Sequence, residues 1–208
     1  MKKCVTLQID DKEVKAEEGT TILEAAQHAG VEIPTLCYYE GLEPYGACRF
    51  CSVEIEKRGR AQVVASCCYP AEEGLKVKTK SPKLAKIRKT IIELAAISAG
   101  EDVSSRLRAL ASEYNADLSR FRSRTHVDPI NCTLCGLCVR RCVEANWESA
   151  IGFIGRGIYR NIALLPGNAG LCSTCNYCRE VCPTGRVCAS SGPRPRFPRV
   201  EDVLAGRK

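Results

Sequence analysis

The chain has 208 residues, 15 of them cysteine, and its 31 Lys and Arg against 24 Asp and Glu give a formal charge of +7. That length holds two modest domains; apolar runs such as Ile91–Ile97 are too short to span a membrane, and Gln8, Asp10 and Asp11 interrupt the start before a signal-peptide core can form. A cytoplasmic chain is expected, in which thiols stay reduced and metal, not disulfide, is the use for so many cysteines.

Val5–Ile9 alternates apolar and polar side chains, as a half-buried strand does. Asp10-Asp11-Lys12 reads as a turn and Glu13–Ala16 as the returning strand. Thr21-Ile-Leu-Glu24 is a capping box. The helix it opens turns Ile22, Ala25, Ala26 and Ala29 inward, leaves His28 on the polar side and stops at Gly30. Val53–Ile55 and Gln62–Val64 alternate as strands around a turn at Lys57–Arg60, a basic tip that reads as solvated. Hairpin, helix and further short strands make a β-grasp-like α+β pattern. Cys4, near the first strand, reads as a small apolar filler.

Cys37, Cys48 and Cys51 precede the pair Cys67-Cys68, in the spacing C-x10-C-x2-C-x15-C. Gly41, Pro44 and Gly46 supply a loop able to wrap a metal centre. Four cysteines in this order suit a [2Fe–2S] cluster, with Cys67 or Cys68 as the fourth ligand. The spacing differs from the C-x4-C-x2-C of plant-type ferredoxins.

Ser81-Pro82 opens a helix, since proline is tolerated in the first turn. Leu84, Ile87, Ile91, Leu94 and Ala95 recur at helical spacing, with Lys83, Lys86, Arg88 and Lys89 largely opposite. A second helix carries Val103, Leu107, Leu110, Ala111 and Tyr114 on one face and ends at Asn115. His126 has no cysteines at ligand spacing and reads as linker.

Cysteine then returns as Cys132, Cys135, Cys138 and Cys142, and again as Cys172, Cys175, Cys178 and Cys182 followed by Pro183. Both runs are C-x2-C-x2-C-x3-C, not the paired short units of zinc sites. Three thiolates two residues apart let one tight loop hold three corners of a cubic cluster, and in two-cluster ferredoxins the fourth cysteine ligates the other cluster. Cys132, Cys135, Cys138 and Cys182 are therefore assigned to one [4Fe–4S] cluster, and Cys172, Cys175, Cys178 and Cys142 to the other. Each oxidised cluster with its thiolates carries about −2, so three of them would leave a holo charge of about +1. The basic excess thus gives no argument for nucleic-acid binding.

Between the runs, Ile151–Tyr159 contains G-x2-G-x-G, which is not a dinucleotide fingerprint and lacks a βαβ setting. It reads as structural, and Trp147 as packing. Cys188 reads as a spare thiol. The segment from Arg194 to Arg199 and the end Gly206-Arg-Lys208 are proline-rich and basic, too poor in apolar residues for a core, and read as an arm lying along another subunit or as a disordered end.

Pro34-Thr-Leu-Cys37-Tyr, Gly46-Ala-Cys48-Arg-Phe-Cys51-Ser-Val-Glu-Ile and Ala65-Ser-Cys67-Cys-Tyr-Pro70 resemble one family. It comprises the N-terminal [2Fe–2S] domain of the large iron–sulfur chain of NADH:quinone oxidoreductase, and the iron–sulfur chains of NAD-linked hydrogenases and formate dehydrogenases. In that family the fourth ligand is followed by two residues and a proline, which implies Cys67. The family usually carries a further motif of one His and three Cys for another [4Fe–4S] cluster. Here no cysteine lies between Cys68 and Cys132, although Lys86-Ile-Arg-Lys-Thr-Ile-Ile-Glu-Leu, Leu110-Ala-Ser-Glu-Tyr and Ser119-Arg-Phe121 still look like its flanks. The family also has a Phe…Arg-Gly hairpin in the place of Phe153–Gly157.

The expected architecture is α+β: a β-grasp [2Fe–2S] ferredoxin-like domain over 1–80, a helical connector over 81–127, a bacterial-type 2[4Fe–4S] ferredoxin domain over 128–190 and a basic tail over 191–208. No flavin, nicotinamide or molybdopterin site and no nucleophile–base arrangement is recognisable, so no catalytic site is expected. The resemblance implies an electron-transfer subunit between a flavoprotein handling NAD(P)H and a second redox subunit, such as a hydrogenase, a formate dehydrogenase or a ferredoxin-linked oxidoreductase. A freestanding multicluster ferredoxin and an iron–sulfur redox sensor are the competing readings. Arg49, Arg140, Arg141 and Arg179 lie beside ligands, and a positive charge there favours the reduced, more negative cluster.

Overall fold

The computed structural model describes residues 3–57, 59–99, 103–122, 130–146, 149–167, 175, 177–186 and 197–205. Cys172, His126, Trp147 and Cys188 lie outside the described residues. Two compact units are present, Met1–Tyr38 with Pro44–Ile91, and Tyr39–Glu43 with Ile92–Lys208.

In the first unit, strands β1 (Cys4–Ile9) and β2 (Lys12–Glu17) form an antiparallel hairpin. Asp10 takes a left-handed φ of 52° at its turn, a conformation its short polar side chain tolerates. Strands β3 (Ser52–Lys57) and β4 (Arg60–Ala65) form a second hairpin. Strand β5 (Lys76–Lys78) runs parallel to β1 and antiparallel to β3, joining the hairpins into a sheet of order β2-β1-β5-β3-β4. Helix α1 (Ile22–His28) buries Ile22, Leu23, Ala25 and Ala26 in the same core as Leu7, Ile9, Val53, Ile55 and Val77. The capping box forms as expected: Thr21 Oγ1 accepts from the Glu24 N–H, and the Glu24 carboxylate accepts from the Thr21 N–H at 2.8 Å. Cys4 corrects the sequence reading. It is exposed, because Val5, Leu7 and Ile9 take the buried face of β1 and Cys4 alternates outward. Lys57, at the basic hairpin end, is engaged by Glu72 at 2.7 Å and by the Tyr69 hydroxyl at 3.2 Å.

Helix α2 (Pro82–Ala99) starts where Ser81 Oγ accepts from the Leu84 N–H. Its residues divide between the two units. The buried residues are Leu84, Arg88, Ile92, Glu93, Ala95, Ala96 and Ala99, which corrects two placements. Leu94, expected inward, is 49% exposed, and Arg88, expected on the polar face, is 4% exposed. A buried stripe follows i, i+4 steps from Leu84, and Arg88 falls on it because its guanidinium finds carbonyl partners inside.

In the second unit, Ser104 caps α3 (Ser105–Glu113), which buries Leu107 and Ala111, and Asn115 leaves the helix at φ 48°. Helix α4 (Leu137–Asn146) leads to the antiparallel strands β6 (Ile151–Ile154) and β7 (Asn161–Leu164), joined through a 3₁₀ turn at Gly157–Tyr159. Arg160 stacks over the Phe153 ring at 4.1 Å, so the glycine-containing segment is a packed hairpin. Helices α5 (Tyr177–Val181) and α6 (Val200–Ala205) follow. Of the basic tail, residues 197–205 are described, and they carry contacts that the sequence did not announce. Phe197 is buried in the core of this unit, and the Leu164 N–H donates to the Pro198 carbonyl at 3.0 Å. These two contacts seat Phe197 and Pro198 against β7. Among the described residues no helix is long and apolar enough to cross a membrane.

Glu93 is fully buried in α2 and pairs with Arg120 at 2.6 Å, while the Asp117 N–H donates to its other oxygen at 3.3 Å. Removing the arginine strands the carboxylate in the interior. Arg120→Ala should cost roughly 2 kcal/mol, below the figure for a fully buried pair because the Arg120 side chain is half exposed. The Glu93→Leu, Arg120→Ala double variant should recover much of that loss in thermal unfolding. A single variant as stable as the wild type would refute the staple.

Candidate metal centres

Three devices bring Cys37, Cys48, Cys51 and Cys67 together in the first unit. The chain enters the Cys48–Cys51 loop through left-handed Gly46 (φ 65°) and turns within it at Arg49 (φ 60°), and Ser52 closes it by donating through its hydroxyl to the Arg49 carbonyl at 2.6 Å. Cys67 rides on a turn after β4, where the Ser66 hydroxyl donates to the Cys51 carbonyl at 2.8 Å. The first N–H groups of α1, which have no intrahelical acceptors, are taken by this turn: Leu23 donates to the Ser66 carbonyl at 3.0 Å and Ile22 to that of Tyr69 at 2.9 Å.

The thiols meet in two pairs. Cys51 and Cys67 Sγ are 3.4 Å apart, and both residues are almost fully buried. Cys37 and Cys48 are the second pair, with the Cys48 N–H donating to Cys37 Sγ at 3.5 Å and the Phe50 N–H to Cys48 Sγ at 3.4 Å. The hydrogen bond to Cys37 and burial push the Cys48 thiol far above its ordinary range. The hydrogen bond with Cys51 and burial do the same to Cys67, while the same hydrogen bond draws Cys51 down to about 6. These shifts oppose ionisation of Cys48 and Cys67, and a cationic partner would relieve them. Among the described residues no three His, Cys, Asp or Glu side chains close on one point as ligands of a single ion. Two thiol pairs match the two irons of a [2Fe–2S] core. Cys68 points outward, with its Sγ 3.5 Å from that of Cys67. Its sulfur would lie 2.9 Å from a Cβ at position 46, so that position requires glycine.

In the second unit, Cys132, Cys135, Cys138 and Cys182 line one cavity together with Thr133, Ile162, Thr184, Arg186 and Phe197. Left-handed Asn131, Leu134 and Gly136 wind the loop, and α4 begins within the motif, so Cys138 and Cys142 lie one turn apart. The Leu134 N–H donates to Cys132 Sγ at 3.3 Å, and the Ala150 N–H to Cys142 Sγ at 3.4 Å. Burial, then the neighbouring Cys135, Cys132, Cys182 and Cys178, raise the Cys138 thiol well above its usual value. Cys142 and Cys178 share a second buried cluster with Cys132 and Cys138, and Cys175 is half-buried. The fourth member of that set, Cys172, is outside the described residues.

Two side chains at this cavity carry no ligand spacing in the sequence. Arg186 donates to the Ile130 carbonyl at 2.8 Å and lowers the Cys132 thiol against the larger upward push of burial. The Thr184 hydroxyl donates to the Asn131 carbonyl at 2.9 Å and lies 3.6 Å from Cys182 Sγ. The only clue was a basic residue four places beyond a cysteine. Of the arginines singled out in sequence, Arg49 is exposed and Arg179 half-buried. Arg140 donates to the Glu43 carbonyl at 2.6 Å, and Arg141 is paired with Glu144 at 2.8 Å and stacked over Tyr177 at 5.0 Å. The Glu144 carboxylate offsets the charge that Arg141 can offer a cluster.

Residues 2–82 match the family model described as a 2Fe-2S iron-sulfur cluster binding domain. The chain is 37% identical over 202 residues to NADPH-Fe(3+) oxidoreductase subunit alpha of Geobacter sulfurreducens, covering 88% of this chain and 24% of the relative. It is 31% identical over 172 residues to the NADH-ubiquinone oxidoreductase 75 kDa subunit of Reclinomonas americana, with 74% and 25% covered. It therefore spans about a quarter of the length of these two relatives. In structure it is similar to a chain of NAD+-reducing [NiFe]-hydrogenase in the H2-reduced state, with a TM-score of 0.66 at 33% identity over 78% of this chain and 76% of that one. The match to a 2Fe-2S domain model, the sequence identity and the matching fold together place the chain in the family of iron–sulfur subunits of NAD(P)H-linked oxidoreductases and hydrogenases.

Proposed function

We propose that the chain relays single electrons through one [2Fe–2S] and two [4Fe–4S] clusters, between a flavoprotein that handles NAD(P)H and a second redox subunit. The [2Fe–2S] ligands are Cys37, Cys48, Cys51 and Cys67. Cys132, Cys135, Cys138 and Cys182 hold one [4Fe–4S] cluster, and Cys172, Cys175, Cys178 and Cys142 the other. The observation that carries the reading is the meeting of four thiols in two pairs inside the matched domain. The cavity shared by cysteines of both runs supports the crossed assignment of the second set.

A bound cluster supplies one-electron chemistry at nearly constant geometry. The protein does the rest. Its thiolates hold the irons, and the N–H groups of Cys48, Phe50, Leu134 and Ala150 point at cysteine sulfurs, where they favour added negative charge. Burial of Cys51 and Cys67 keeps water away from that end of the site. The second redox subunit is a hydrogenase, a formate dehydrogenase or a ferredoxin-linked oxidoreductase. Of these, the hydrogenase finds support in the similarity to an NAD+-reducing hydrogenase chain, and the flavoprotein side in the NAD(P)H-linked relatives.

Two measurements test the ligand assignment. Cys67→Ala should abolish the visible absorption and electron paramagnetic resonance of the [2Fe–2S] centre, while Cys68→Ala should keep both. The reverse pattern would move the fourth ligand to Cys68. Three clusters also imply about ten irons per chain after anaerobic reconstitution. A fully loaded preparation that saturates at clearly fewer contradicts the proposed set.

A further inference from the structure

Arg88 is the buried cation of the first unit, with 4% of its surface exposed. Its Nη2 donates to the carbonyls of Ser52 at 3.0 Å and Thr79 at 3.1 Å, and its Nε to that of Phe50 at 3.4 Å. The Phe50 and Ser52 carbonyls flank Cys51, the most deeply buried ligand together with Cys67. All three acceptors are neutral, and no ion pair among the described residues involves Arg88. The acid tied to this network, Asp10, is reached only through Thr79, whose hydroxyl donates to it at 2.7 Å.

We infer that Arg88 is a positioning residue whose buried charge raises the reduction potential of the [2Fe–2S] centre. Two effects act in the same direction. By drawing the Phe50 and Ser52 carbonyls toward itself, the guanidinium turns the loop so that the Cys48 and Phe50 N–H groups face sulfur. Its charge, fixed beside Cys51 in a medium that screens poorly, also stabilises the electron taken up on reduction. Arg49 is adjacent in sequence but exposed, where water and salt attenuate its field. An arginine remote from the ligands in sequence thus outweighs the one that stands between two of them. A guanidinium suits the role because its planar fork serves several carbonyls without losing its charge.

The inference rests on the [2Fe–2S] reading above, and the test separates the two. Full-length wild type, Arg88→Gln, Arg88→Lys and Arg49→Gln are reconstituted anaerobically with iron and sulfide. The midpoint of the [2Fe–2S] signal is then followed by electron paramagnetic resonance in a redox titration. Arg88→Gln keeps amide donors but loses the charge, and should lower the midpoint. Arg88→Lys keeps the charge and should stay near the wild type, and Arg49→Gln should shift less than Arg88→Gln. An unshifted Arg88→Gln, or an Arg88→Lys that falls as far, overturns the inference. Should Arg88→Gln assemble no centre, Arg88→Lys decides alone: a kept midpoint supports the role of charge and a lowered one contradicts it. A wild-type chain with no [2Fe–2S] signal would refute the reading of the site itself, and the inference with it.

Discussion

Thiols that are buried side by side repel one another as soon as they ionise, and the structure around both sites must withstand this repulsion. Cys51 and Cys67 touch at 3.4 Å; Cys51 feels the charge of Cys37, and Cys67 that of Cys51. The same crowding recurs at Cys138, which burial and four neighbouring cysteines push toward the protonated form. A fold that accepts such arrangements gains from them only when a cationic metal core takes the protons' place. The remaining structure can be understood as what it takes to hold these groups still.

It does so with backbone groups near the ligands, each engaged by a helix end or by a polar side chain. The open N-terminus of α1 fixes the turn bearing Cys67, so the helix and the fourth ligand are positioned together. Arg88 performs the corresponding task for carbonyls around Cys51. In the second unit, Ser104 caps α3 and also donates to the Pro183 carbonyl at 3.2 Å, next to Cys182. Arg186 and Thr184 reach back to the carbonyls of Ile130 and Asn131, just before Cys132. Ligands far apart in the chain are thus joined by polar contacts as well as by any metal.

The features legible in the sequence are those with a local cause. The capping box at Thr21, the two hairpins of the first sheet and the start of α2 at Pro82 each depend on residues within a few positions of one another. Cysteine spacing is legible for the same reason, since a loop of fixed length can reach only certain corners of a cluster. Arg88, Glu93 and Phe197 were not legible. Periodicity places a charged residue on the outer face of a helix, and nothing near Arg88 in the chain announces the Phe50, Ser52 and Thr79 carbonyls that admit it. Glu93 depends in the same way on Arg120, and Phe197 on a hairpin more than thirty residues earlier. Cys4 misled because its residue type favours burial, whereas the strand's alternation turns it out.

The central claim is that this chain carries electrons inside a larger oxidoreductase. It is tested most directly by anaerobic native purification from the source cells, with the co-purifying chains identified by mass spectrometry. The account predicts a flavoprotein with a nicotinamide site and a second redox chain in fixed ratio to this one. A chain that purifies alone and exchanges electrons with several enzymes would contradict it, and would make the protein a freestanding carrier.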